Sequence, residues 1–178
     1  MAKKGLLHIY TGEGKGKTTA SIGLAVRAAG SGLRVLFVQF FKEDSAHSGE
    51  KEVFRSAGLG IELVRSNCRH PMFTKEKTDL ERLKSTVAVT FKEATEKAAS
   101  GGYGLLVLDE VISAINGGWL SLGDVIAFLE KRPEGLEVVL TGRNAPVELV
   151  KMADYVTEML KIKHPFDAGV QARKGIEF

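Results

Sequence analysis

The run Thr11-Gly12-Glu13-Gly14-Lys15-Gly16-Lys17-Thr18-Thr19 interleaves glycines with lysines and ends in a threonine pair. Glycines let a backbone turn tightly and aim its N–H groups inward, which is how a loop cradles phosphate oxygens. Lys17 could place its charge on a phosphate, and the Thr18 hydroxyl could bind magnesium. The usual form of this motif opens on glycine. Here Thr11 holds that place and Gly12 follows it, so the loop is a variant. The bland alternative is a glycine-rich turn with solvated lysines. Gly12, Glu13, Gly14, Lys15, Gly16, Lys17, Thr18 and Thr19 are the candidate ligands of ATP.

Two further groups could join them. Asp109-Glu110 closes the apolar run Leu105-Leu106-Val107-Leu108. Carboxylates at such a strand end hold magnesium directly or through water; alternatively they are an acid pair favoured by a helix dipole. Arg143 follows Thr141-Gly142, where a planar guanidinium fork could clamp phosphate. Arg27, further along the helix after the loop, could reach a ligand at the sheet edge; either arginine could also be merely solvated. The histidines stand without ligand spacing, and His8 reads as a strand residue. Phe37, Phe40 and Phe91 read as core, and Cys68 as an inert thiol.

These residues need a scaffold that brings strand ends together. Short apolar runs alternate with helical patterns. Strands are expected at Leu6–Tyr10, Arg34–Phe40, Ile61–Val64, Leu105–Leu108, Glu137–Leu140 and Tyr155–Met159. Helices are expected at Lys17–Ala29, Gly49–Ala57, Lys75–Ser100, Ser121–Lys131 and Pro146–Met152, with irregular segments at Ser66–Thr74 and Lys163–Phe178. Such alternation predicts an α/β fold, a mostly parallel sheet with helices on both faces. Ligands on such sheets gather at the carboxyl ends of the strands. The Thr11–Thr19 turn, Asp109-Glu110 and Thr141-Gly142-Arg143 all fall there.

The bulk composition sets bounds on this reading. The 178 residues fit one domain, 1–178, with 44% apolar and 26% charged residues, as in ordinary globular proteins. A net charge of +3 suits a polyanionic ligand without demanding nucleic acid, and the basic residues form no stripe. One cysteine excludes an internal disulfide. No run is long enough for a signal peptide or a membrane span, so a cytoplasmic protein is expected.

The order of further motifs is specific. Phe-Val-Gln-Phe (37–40), Leu-Asp-Glu (108–110), Arg-Pro (132–133), Leu-Thr-Gly-Arg (140–143), Ala-Asp-Tyr-Val-Thr-Glu-Met (153–159), Lys-His-Pro-Phe (163–166) and Gly-Ile-Glu-Phe (175–178) follow the phosphate loop. Across nearly its whole length the chain resembles the P-loop type of ATP:corrinoid adenosyltransferase. The resemblance implies a RecA-like P-loop NTPase fold, a homodimer, and a role in cobalamin biosynthesis or salvage. Its reaction moves the 5′-deoxyadenosyl group of ATP to cobalt(I) of a reduced corrinoid and expels tripolyphosphate, with ATP lying reversed in the loop. It further implies catalytic roles for Lys17 and Arg143, a magnesium site at Thr18, Asp109 and Glu110, and an electron-donor protein that reduces the corrinoid. The family's corrinoid-facing Phe-Thr-Trp segment corresponds to Phe73-Thr74-Lys75: Phe73 is kept as a corrinoid contact and the tryptophan is absent. Family members also carry an N-terminal helical extension over the active site; this sequence starts close to its first strand, so that cover is expected either to be missing or to come from elsewhere. Two other readings compete: a P-loop ATPase or kinase transferring the γ-phosphoryl group, and a non-catalytic carrier of ATP and corrinoid.

Overall fold

A computed structural model describes residues 4–56, 58–71 and 79–177. The strands are β1 (Leu7–Thr11), β2 (Val35–Gln39), β3 (Ile61–Arg65), β4 (Leu105–Asp109), β5 (Glu137–Thr141) and β6 (Tyr155–Glu158). The helices are α1 (Lys17–Gly30), α2 (Gly49–Ser56), α3 (Leu80–Ser100), α4 (Val111–Asn116), α5 (Leu122–Lys131) and α6 (Val147–Met152). All pairings are parallel, in the order β3-β2-β4-β5-β1-β6, as expected of a RecA-like P-loop fold. β5 lies between β1, which carries the phosphate loop, and β4, which carries Asp109.

The central strands are apolar without alternation because both of their faces are covered. Leu36, Val38, Leu106, Leu108, Val138 and Leu140 pack on one side with α3, α4, α5 and α6. Val35, Phe37, Leu105, Val107 and Val139 pack on the other with Ala25 and Ala28 of α1 and Phe54 of α2. β6 is an edge strand whose residues are all exposed. Among the described residues, no helix is long and apolar enough to cross a membrane.

Beyond shifts of a residue or so at element ends, one helix start and one missed helix differ from the sequence reading. The third long helix was expected from Lys75, but Asp79 is extended (φ −71°, ψ 97°) and its side chain accepts from the Arg82 N–H at 3.0 Å. That cap satisfies an N–H with no partner inside the helix and starts α3 at Leu80. Residues 72–78, with Phe73 and Lys75, lie outside the described residues, as does Ala57. The second difference is α4, which the sequence reading missed: six residues are too few to show a helical period.

Candidate active site

The phosphate loop is shaped by what lies behind it as well as by what it could bind. The Gly14 N–H donates to the Met159 carbonyl at 2.6 Å, and the Met159 N–H donates to the Thr11 carbonyl at 2.8 Å. A Cβ on Gly12, whose φ is +100°, would lie 2.5 Å from the Met159 oxygen; one on Gly14 would lie 2.6 Å from it. The segment leaving β6 thus requires glycine at both places. Thr11 has its own role in place of the usual glycine: its hydroxyl accepts from the Ala145 N–H at 3.2 Å and ties the β5–α6 turn to the loop.

Lys17 begins α1, 8% exposed, and its ammonium donates to the Gly12 and Gly14 carbonyls at 2.7 and 2.9 Å. Burial lowers its pKa, while the nearby Glu110 carboxylate pulls the other way. Thr18 points its hydroxyl at both oxygens of Asp109, at 3.0 and 3.2 Å. Thr141, at the end of the intervening β5, donates to the same carboxylate at 2.7 Å and accepts from the Glu110 N–H at 2.8 Å. The sequence reading gave Thr141 no role; its hydroxyl joins the two acidic residues to the phosphate-loop side of the sheet.

Asp109 is wholly buried, and its pKa is pushed up to about 6. Desolvation is the main cause, and the Glu110 charge adds to it against the hydrogen bonds from Thr141 and Thr18. A carboxylate so buried suits a hard cation better than solvent. The donor set around it, a hydroxyl and carboxylates, is all oxygen and fits magnesium. Among the described residues, no group of three or more His, Cys, Asp or Glu side chains could hold a metal alone. A cation here would take its remaining ligands from phosphate and water, as magnesium commonly does.

Glu110 is left-handed, with φ 65°, and its side chain makes no capping bond to the α4 backbone. Ser113 donates to its carboxylate instead. A left-handed glutamate carries backbone strain, a feature that concentrates at functional sites. The Arg143 guanidinium is paired with Glu13 across the loop at 2.5 Å, with both side chains about half exposed. Glu13 thereby holds Arg143 at the mouth, in a solvent-screened pair weak enough to yield to phosphate.

A cavity of about 530 Å³ joins these groups. Glu13 to Thr19, Glu110 and Arg143 line one part of it. Asp109 sits beneath, reached through Thr18. Gly12 supplies a carbonyl to Lys17 without lining the cavity. Arg27 is not brought into the site: it is exposed on α1, where its charge acts on Tyr10. Five lining groups escaped the sequence reading: Ile22 and Val26 of α1, Lys42, the α2 residues Gly49, Glu50, Val53 and Phe54, His164, and the tail residues Gly175, Ile176 and Glu177. Glu177 reaches within 3.7 Å of the Lys15 ammonium.

The sequence matches the family described as ATP:corrinoid adenosyltransferase BtuR/CobO/CobP over residues 3–178. The chain belongs to the ATP:corrinoid adenosyltransferase family. It is 39% identical over 176 residues to a corrinoid adenosyltransferase of Pseudomonas aeruginosa, spanning 99% of this chain and 85% of that protein. A corrinoid adenosyltransferase from Sinorhizobium sp is 36% identical over 177 residues, spanning 99% and 81%. That of Escherichia coli K12 is 32% identical over 176 residues, spanning 99% and 87%. As a member of the adenosyltransferase family, the chain needs a charged pocket for a polyphosphate leaving group, which gives Arg143 a defined test. Arg143→Ala is expected to lower kcat about a hundredfold while weakening ATP binding much less, since charge on the leaving oxygens grows in the transition state. Single-turnover rates set against equilibrium ATP binding check this.

Proposed function

We propose that this chain transfers the 5′-deoxyadenosyl group of ATP to cobalt(I) of a corrinoid. The cobalt electron pair forms a bond to the 5′ carbon, the carbon–oxygen bond breaks, and tripolyphosphate leaves with that bond's electrons. The observation that carries this reading is the family match along nearly the whole chain, over residues 3–178.

The residues divide the work. Loop N–H groups and the positive end of α1 receive the phosphates. Lys17 leaves the Gly12 and Gly14 carbonyls to bind a phosphate oxygen, and Arg143 leaves Glu13 to do the same. Thr18, Asp109 and Glu110 would hold magnesium, which supplies charge neutralisation to the departing phosphate oxygens. No side chain need act as a general base, because reduced cobalt is itself the nucleophile. What remains is alignment of the carbon with the metal. Phe73 is the proposed corrinoid contact. A homodimer, an electron-donor protein, a single-domain organisation and a cytoplasmic location complete the proposal.

Product analysis tests the reaction class. With ATP, magnesium and a reduced corrinoid, tripolyphosphate is expected in proportion to corrinoid consumed. ADP with phosphate, or a phosphorylated product, would indicate a phosphoryl-transfer enzyme instead. Glu110→Gln is expected to raise the magnesium concentration for half-maximal turnover several-fold. An unchanged magnesium dependence would leave Glu110 with no part in metal binding.

A further inference from the structure

Among the described residues, the lysines and arginines that line the cavity are Lys15, Lys17, Lys42 and Arg143. Three of them already have partners. Lys17 donates to the Gly12 and Gly14 carbonyls, Lys15 stands 3.7 Å from Glu177, and Arg143 is paired with Glu13. The Lys42 ammonium makes no hydrogen bond and no salt bridge among the described residues.

The chain that carries Lys42 past the end of β2 is pinned on two sides. The Phe40 N–H donates to the Asp109 carbonyl at 3.0 Å. The Phe41 N–H donates to the Ser66 hydroxyl at 2.9 Å, and the Lys42 carbonyl accepts from the Asn67 N–H at 3.0 Å. Phe41 is left-handed, with φ 58°, an uncommon conformation for a bulky side chain and a form of strain that concentrates at functional sites. Its ring is buried and packs edge-on against His70 and Trp119, with centroids 4.9 and 5.3 Å away. The turn keeps that ring in the core and gives the next residue to the cavity.

The Lys42 charge favours the ionised forms of both Glu50 and Asp109, as a smaller influence after burial and hydrogen bonds. Neither carboxylate is left over to pair with it. Glu50 Oε1 accepts from the Gln39 amide at 3.0 Å and lies 3.9 Å from the buried Arg65 guanidinium, whose Nε donates to the Gln39 oxygen at 2.9 Å. Asp109 accepts from Thr18 and Thr141. A cation left unpaired beside two engaged carboxylates suits a third anion that enters from outside.

β2 lies on the other side of β4 from β5 and β1. Lys17 and Arg143 therefore approach the phosphates from the loop side of Asp109, and Lys42 approaches from the opposite side. In adenosyl transfer the new charge appears at one end of the triphosphate, on the α-phosphate oxygen that gives up the 5′ carbon. A cation held at that end is worth more in the transition state than in bound ATP.

We propose that Lys42 is a further catalytic residue, which binds the α-phosphate across the cavity from the loop and neutralises the oxygen released from the 5′ carbon. This rests on the adenosyl-transfer reading and adds to it the group that meets the leaving oxygen. The cobalt electron pair forms the new bond to carbon, the carbon–oxygen pair stays on the oxygen, and Lys42 keeps its proton.

The test compares Lys42→Met with the wild type in three measurements, each with magnesium: single-turnover transfer to cobalt(I), equilibrium binding of ATP, and equilibrium binding of inorganic tripolyphosphate. The variant is expected to lose about a hundredfold in rate and less than about threefold in ATP affinity. Its tripolyphosphate affinity should fall about tenfold, because tripolyphosphate carries the freed oxygen and ATP does not. The Lys42 side chain belongs to neither core, so the melting curve should be that of the wild type. Lys42→Gln should repeat all three results, and Lys42→Arg, which keeps the charge, should return to within about tenfold of the wild-type rate. Equal losses in rate, ATP and tripolyphosphate would make Lys42 a phosphate contact with no preference for the transition state. No change in any of them would make it a solvated lysine. Either result overturns the proposal and leaves adenosyl transfer intact. A wild type that forms no cobalt–carbon product overturns the transfer reading, and this proposal with it.

Discussion

Lys17→Ala is expected to abolish measurable ATP binding and to cut adenosyl transfer at least about a thousandfold. The size follows from geometry. The ammonium is buried inside the loop on the Gly12 and Gly14 carbonyls, where water screens it little. A charge in such a place interacts with phosphate far more strongly than a surface lysine does. The fold should survive, because the sheet and both cores lie apart from this side chain. A wild-type melting curve together with lost ATP binding checks the assignment. Near-normal turnover by this variant would remove the loop from the site.

Asp109→Asn is expected to stabilise the empty protein while destroying its magnesium-dependent activity. In the fold the carboxyl is pushed up to about 6, against about 4 in an unfolded chain. Stability contributed by the protonated form is complete below the unfolded value and is lost as pH rises through the folded one. Above pH 7 the ionised, buried carboxylate therefore weighs against folding, by up to about 3 kcal/mol. Asparagine keeps an oxygen for Thr18 and Thr141 and carries no charge. In chelator-treated protein, the variant's Tm should match the wild type near pH 4 and exceed it by several degrees above pH 7. Magnesium with ATP should raise the wild-type Tm and leave that of the variant nearly unmoved. A wild-type Tm above that of the variant throughout this range would contradict the electrostatic account.

The parts of the site legible in sequence are those that combine a strand end with a distinctive residue. The phosphate loop follows β1, Asp109-Glu110 follows an unbroken apolar strand, and Arg143 follows Thr141-Gly142. The alternating pattern of strands and helices was enough to bring these ends together. Contacts from distant chain carried no comparable signal. Thr141 looks like any strand-end threonine until β5 is seen between β1 and β4. Glu50 is one charged residue on a short polar helix, and only the Gln39–Arg65 network marks it. The tail read as irregular, which hid the return of Gly175, Ile176 and Glu177 to the cavity. Arg27 was read from its place on the helix after the loop, and α1 presents it to solvent. The glycines at 12 and 14 were assigned to phosphate alone, and the approach of the Met159 backbone is a second reason for them.

The most direct test of the central claim is detection of the cobalt–carbon bond. The protein is mixed anaerobically with magnesium, ATP labelled at the 5′ carbon and a corrinoid reduced to cobalt(I), and the corrinoid is recovered in the dark. The account predicts that the label travels with the corrinoid, that brief illumination releases it, and that Lys17→Ala yields none. Label remaining with adenosine phosphates while cobalt(I) persists would contradict it.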